Sequence, residues 1–178
     1  DPNDLVNNYM IKAMEEIGAK FEAGQAYVPN LLMAARAMKG SLEILKPLMQ
    51  NTGNITLGKV LIATVKGDLH DIGKNLVASM LEGCGFEVIN LGVDATDQKI
   101  VDAVKQYQPS ILALSALLTT TMGYIKTVID ALSAAGLRDN VKIMVGGAPV
   151  SAAFASEVGA DGYSSNANEA VALAKSLI

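Results

Sequence analysis

The chain has one cysteine, one histidine and no tryptophan among its 178 residues. A single thiol, Cys84, excludes an intrachain disulfide and suits a reducing cytoplasm. With one His and one Cys the chain cannot assemble a zinc site of the usual Cys/His type. Cations are also few: 14 Lys and Arg against 18 Asp and Glu give a net charge of −4. No basic stripe is present, and phosphate-backbone binding needs one, so nucleic acid is not an expected partner. No apolar run approaches the roughly 20 residues that cross a bilayer, so a membrane is not expected either. A charged segment followed by an apolar one, the mark of a secretory signal, is missing. Asp1-Pro2-Asn3 is not a natural start, and the chain is expected to begin inside a longer protein.

What is there in quantity is apolar material, 51% of the chain, enough for one large domain or two small ones. Residues 4–50 read as helices. Leu5, Met10, Ala13, Met14 and Ile17 recur at helical spacing. Gly18 and Gly24 punctuate the stretch that follows. Pro29 then opens a long helix over 30–50, with Leu31, Leu32, Ala35, Met38, Leu42, Leu45 and Leu48 on its apolar side. Met10, Met14, Met33, Met38 and Met49 are expected to fill this bundle's core. The organisation expected is a helical cap over 1–52, a polar linker over 53–58 and an α/β domain over 59–178.

From Lys59 the period changes. Apolar strands at 60–65, 86–91, 111–115, 143–145 and 162–163 alternate with helices near 72–83, 96–107, 121–136, 149–158 and 167–177. Near-continuous apolar strands in that alternation predict a parallel sheet covered on both faces, with right-handed crossovers. The fold class is α/β: a flavodoxin-like, Rossmann-like, doubly wound five-stranded sheet of order 2-1-3-4-5. Cys84, in Glu82-Gly-Cys-Gly85, reads as a small buried filler at a helix-to-strand turn.

The heptapeptide Gly67-Asp68-Leu69-His70-Asp71-Ile72-Gly73 follows the first strand and holds the only histidine. Its position is the carboxyl edge of the sheet, where open α/β folds bind ligands. Imidazole is the commonest metal ligand, and an Asp two residues away can take the other ring N–H. Alone, an Asp-x-His pair is equally a surface or satisfied core histidine. Gly67 and Gly73 are equally turn residues. The run Thr119-Thr120-Thr121 is equally a helix-capping stretch. Phe21 and Val28 are equally packing between helices. Lys74 and Asn75 read as exposed residues of a first helical turn.

The spacing beyond the loop is more specific. Asp68-x-His70-x-x-Gly73 is followed by residues 74–114, 41 in number, then Ser115-Ala116-Leu117; residues 118–145, 28 in number, lead to Gly146-Gly147. This pattern resembles the DxHxxG…SxL…GG signature of corrinoid-binding domains, among them the cobalamin domain of methionine synthase and the corrinoid proteins of anaerobic methyltransferase systems. The resemblance runs upstream through Phe21-Glu-Ala-Gly-Gln-Ala-Tyr-Val-Pro-Asn30 and covers nearly the whole chain.

The resemblance implies a cobalamin or related corrinoid cofactor. His70 would be the lower axial ligand to cobalt, replacing the cofactor's own benzimidazole. Asp68 and the Thr121 hydroxyl would complete a ligand relay, with threonine where methionine synthase has serine. Gly67, Leu69, Asp71 and Gly73 would border the corrin. Ser115, Leu117, Thr119, Gly146, Gly147 and Ala167 would line the groove for the detached nucleotide tail. Phe21 and Val28 would shield the upper cobalt face; methionine synthase has leucine at the second position. The implied function is a methyl carrier of anaerobic one-carbon metabolism, a subunit without a complete activity of its own. Its partners would be a substrate-specific methyltransferase, a second methyltransferase serving tetrahydrofolate or a thiol, and a reductive activator protein. A mutase subunit would share DxHxxG but lack the helical cap. A cobalamin sensor would need a DNA-binding module, and a phosphoacceptor receiver an acidic cluster with a suitably placed lysine.

Overall fold

The computed structural model describes residues 2–45, 48 and 56–178. Residues 46, 47, 49 and 50 of the expected end of the long helix, Met49 among them, and the boundary at 52–53 lie outside those residues, as do 53–55 of the expected linker. Helix α1 (Pro2–Leu5) passes through a π turn (Val6–Met10) into α2 (Ile11–Glu22), and α3 (Val28–Leu45) follows. Pro29 sits in the first turn of α3, where a missing N–H costs nothing. The Asn30 side chain accepts from the Tyr27 N–H at 2.8 Å and closes that turn.

The second part alternates strand and helix: β1 (Lys59–Thr64), α4 (Ile72–Gly83), β2 (Glu87–Asn90), α5 (Asp97–Tyr107), β3 (Ile111–Ser115), α6 (Thr119–Ala134), β4 (Lys142–Gly146), α7 (Ala152–Val158), β5 (Gly162–Ser164) and α8 (Ala167–Ser176). All pairings are parallel and the order is β2-β1-β3-β4-β5, as expected. Side chains along a strand alternate between faces. Val60 and Ile62 therefore enter the core shared with α4 and α8, while Leu61 and Ala63 enter the core under α5 and α6. The chain winds outward in both directions from β1 and β3. The crevice at their carboxyl ends is the switch point where such sheets bind ligands.

The helical segment forms a further layer over α4 and α8. Met14, Leu31, Ala35, Met38 and Leu42 share one buried cluster with Ala78, Leu81 and Ala170. The approach is close: a Cβ on Gly83 would stand 3.0 Å from the Ala35 Cα. Ion pairs Lys39–Glu82 (2.8 Å) and Lys175–Glu15 (3.0 Å) flank the contact. Three expectations need correction here. Gly18 does not punctuate α2 but lies inside it, where a Cβ would run into the Asn168 amide of α8. Ala13, Leu32, Met33 and Leu48 are exposed, because among the described residues the segment packs against one layer only. Lys74 is buried, while Asn75 is exposed as expected. Cys84 is buried, and burial pushes its thiol pKa up. Among the described residues no helix is long and apolar enough to cross a membrane.

Candidate functional site

Strand β1 stops at Thr64, and residues 66–71 loop over the carboxyl edge before α4 begins. Gly67 makes the turn with φ +81°, a conformation that favours glycine. Asp68 then points into the protein and is fully buried. Its two carboxylate oxygens collect five donors. Oδ1 accepts from the His70 N–H at 3.0 Å and from His70 Nδ1 at 2.8 Å. Oδ2 accepts from the N–H groups of Leu117 (2.7 Å) and Leu118 (3.3 Å), and from the Thr121 hydroxyl (2.7 Å). Burial pushes the Asp68 pKa up, but the Leu117 and His70 N–H groups, the Thr121 hydroxyl and the His70 ring together outweigh it. The carboxyl is held well below its ordinary range and is ionised at neutral pH.

An ionised carboxylate only accepts, so His70 Nδ1 carries a proton and donates it. In the neutral ring that leaves Nε2 with its lone pair free, the state in which imidazole ligates a metal. The ring itself is half-exposed, at 51%. The Thr64 hydroxyl, fully buried, donates to the His70 carbonyl at 2.9 Å and fixes the backbone beneath the ring.

His70 stands at a cavity of about 560 Å³. Ile62, Ala113 and Met144 of the sheet form one wall; Leu76 and Val77 of α4 and Ala167 of α8 form others; Phe21 enters from α2. Of the expected site residues, Phe21, Leu69, His70, Asp71, Gly73, Ser115, Leu117, Gly146, Gly147 and Ala167 line it. Asp68 and Thr121 stand behind His70 as its support. Gly67, Thr119 and Val28 are outside the lining; Thr119 is exposed at the start of α6, and Val28 is 39% exposed. Thr121 is not a helix N-cap: Leu118 is, and the Thr121 hydroxyl lies 3.0 Å from its carbonyl.

Gly147 has a backbone reason of its own. Its φ is +124°, and a Cβ there would stand 1.8 Å from the Ala116 carbonyl oxygen. Gly147 thus lets the β3 and β4 ends close together, while a Cβ on Gly146 would stand 3.1 Å from the Ser164 carbonyl oxygen of β5.

Sequence reading missed two polar groups around the loop. The Lys74 ammonium donates to Asn75 Oδ1 at 2.6 Å and Asn90 Oδ1 at 2.9 Å. Burial holds its pKa below the usual lysine range, against the opposing field of Asp71. Asp94, from the β2–α5 connection, accepts from the Gly67 N–H at 2.7 Å. Neither has a sequence signal, since both depend on which strand lies beside β1.

The donor set tests what a metal here would be. Among the described residues no group of three or more His, Cys, Asp or Glu could hold an ion. One imidazole beside a large apolar cavity fits a metal that brings its other ligands with it. The surroundings agree: Leu69 and Ile72 are 72% and 87% exposed beside the ring, an apolar rim suited to a flat macrocycle.

Comparisons with known proteins meet this geometry. A B12 binding domain model matches residues 58–172, and a second B12 binding domain model matches residues 1–46. Dimethylamine corrinoid protein 1 of Methanosarcina acetivorans is 42% identical over 100% of this chain and 84% of its own length. Trimethylamine corrinoid protein 2 of Methanosarcina mazei is 44% identical over 100% of this chain and 83% of its own. The crystal structure of a cobalamin-binding protein from Desulfitobacterium hafniense superposes with TM-score 0.87 at 36% identity, over 99% of this chain and 83% of that one. The methanol:cobalamin methyltransferase complex of Methanosarcina barkeri contains a chain with TM-score 0.80 at 32% identity, over 99% of this chain and 67% of that one. The chain belongs to the B12-binding corrinoid proteins, with a Rossmann-like cofactor domain, and its cofactor is a corrinoid.

Proposed function

We propose that this protein carries a methyl group on the cobalt of its corrinoid between two methyltransferases, with His70 as the protein's ligand to the metal. The corrinoid supplies a cobalt centre that accepts and releases the methyl group, and the hard chemistry is the cofactor's. The protein supplies ligation, shielding and access. His70 offers Nε2 from a ring whose other nitrogen is held by Asp68 at 2.8 Å, and that contact is the observation that carries the reading. The carboxylate keeps the proton on Nδ1, and the Thr121 hydroxyl keeps the carboxylate in place. The cavity walls of Ile62, Ala113 and Met144 suit the apolar part of a nucleotide tail, and Phe21 would keep water from the reacting face.

Di- and trimethylamine relatives support a methylated amine as methyl donor, brought by a substrate-specific methyltransferase. A second methyltransferase serving tetrahydrofolate or a thiol would take the group on, and a reductive activator would restore oxidised cofactor. A single free thiol suits the cytoplasm as the setting. The test is a reconstitution with cobalamin, followed by a methylamine methyltransferase and its amine. Methylation of the bound cofactor, seen as a change in its visible spectrum, is expected with the wild type and not with His70→Ala. Equal methylation of both would overturn the ligand assignment; methylation of neither would overturn the amine.

A further inference from the structure

The loop that carries His70 is gripped from outside by the β2–α5 connection. Asp94 stands in the left-handed region with φ 49°. Among the described residues only one other non-glycine residue does so, Gln108, and that one caps the end of α5. An aspartate tolerates the conformation at some cost, and it persists where surrounding contacts determine it.

Those contacts are both with the ligand loop. The Asp94 N–H donates to the Asp68 carbonyl at 3.0 Å, and Asp94 Oδ1 accepts from the Gly67 N–H at 2.7 Å. One residue thus holds the pair Gly67-Asp68 at both of its ends. Strand β1 has ended at Thr64 by then, so the sheet ladder holds neither group. The connection is itself anchored: the Thr64 N–H donates to Gly92 O, and the Ala95 N–H to Thr64 O, each at 3.0 Å. Asp94 is exposed, and it is not among the residues lining the cavity.

We propose that Asp94 is a positioning residue for cobalt ligation. It fixes the backbone that aims the Asp68 carboxylate, and through Asp68 it fixes the His70 ring, without touching the cofactor. This rests on the reading of His70 as the ligand. Two variants isolate the claim. Asp94→Gly keeps the left-handed backbone and removes the acceptor; Asp94→Asn keeps both. With cobalamin bound and reduced to Co(II), the fraction of protein showing nitrogen coupling from His70 is read by electron paramagnetic resonance. The ratio of uncoordinated to coordinated protein is expected to rise roughly tenfold in Asp94→Gly, as for loss of a partner that orients a metal ligand, and to return to wild type in Asp94→Asn. In the cofactor-free protein, hydrogen exchange at the Gly67 amide is expected to accelerate in Asp94→Gly alone. A wild-type ratio in Asp94→Gly, even with a lowered unfolding temperature, would make Asp94 merely structural and overturn the proposal. An asparagine variant as impaired as the glycine one would overturn the acceptor role. A wild type without histidine coupling would overturn the ligand reading itself, and this inference with it.

Discussion

Asp68→Asn is the perturbation whose consequences the geometry specifies most fully. Five donors converge on the buried carboxylate, three on Oδ2 and two on Oδ1. An asparagine keeps the shape but offers only one acceptor oxygen. The side with three donors wins it, so the amide NH₂ turns toward His70. The His70 N–H then loses its acceptor, and Nδ1 must accept instead of donate. The ring proton moves to Nε2, which removes the lone pair that a metal needs. Hydrogen bonds to a charged group contribute about 1.5–3 kcal/mol and an unsatisfied donor costs about 1–3 kcal/mol, so a loss of about 2–4 kcal/mol at pH 7 is expected.

The loss also has a pH signature. The folded carboxyl titrates below its ordinary value of 3.8. Its contribution to stability is therefore fully present above that value and is lost progressively as pH falls below it toward the lower folded value, at about 1.4 kcal/mol per pH unit. As the carboxyl protonates, the gap between wild type and Asp68→Asn should close below about pH 4. With no tryptophan in the chain, urea unfolding followed by circular dichroism is the assay. Nitrogen chemical shifts of the single imidazole read the tautomer without overlap. A variant within about 0.5 kcal/mol of wild type, the range of an unremarkable surface change, with its proton still on Nδ1, would refute the reasoning.

Two further outcomes follow from the same geometry. Gly147→Ala places a Cβ 1.8 Å from the Ala116 carbonyl oxygen in a backbone of φ +124°; a destabilisation of about 3 kcal/mol or more is expected from strain and clash together, and an unchanged urea midpoint would contradict it. Phe21→Ala removes a half-buried ring that reaches the cavity wall from α2. It is expected to cost about 2 kcal/mol and to hasten loss of a bound methyl group under light while leaving corrinoid affinity nearly intact; equal loss rates in both proteins would make Phe21 core packing only.

The sheet was legible because its central strands are apolar on both faces. Runs such as Val60-Leu-Ile-Ala-Thr, alternating with helical patterns, suit a covered parallel sheet, and its order then followed from fold rules. Boundaries were less so. Helix α7 begins at Ala152, three residues later than expected, because residues 147–150 turn first, with the Val150 N–H donating to Gly147 O. Ser151 then caps the helix by accepting from the Phe154 N–H. Helix α6 begins at Thr119, which puts Thr121 in its first turn with the hydroxyl reaching Asp68.

The loop itself was legible through its motif, since Asp68 and His70 lie two residues apart and need no tertiary knowledge to be paired. What lay out of reach was everything that crosses to a neighbouring strand. Lys74 looks like a solvated helix residue until β2 brings the Asn90 amide beside its ammonium. Asp94 sits in an unremarkable Gly-Val-Asp-Ala stretch, and no local pattern announces its positive φ. Val28 shares a segment with Phe21, yet only Phe21 reaches the cavity. The turn between α2 and α3 separates the two, and its path is set by Gly24 at φ +70°.

The central claim, that His70 is the protein's ligand to cobalt, has a direct measurement because the chain has one histidine. Protein grown with ¹⁵N-histidine and with ordinary histidine is loaded with the same unlabelled cobalamin and reduced to Co(II). Each electron paramagnetic resonance line is split by the axial nitrogen. With His70 coordinated, the splitting is threefold in the ordinary protein and twofold in the labelled one. A threefold splitting in both would place the cofactor's own benzimidazole on the metal and contradict the account.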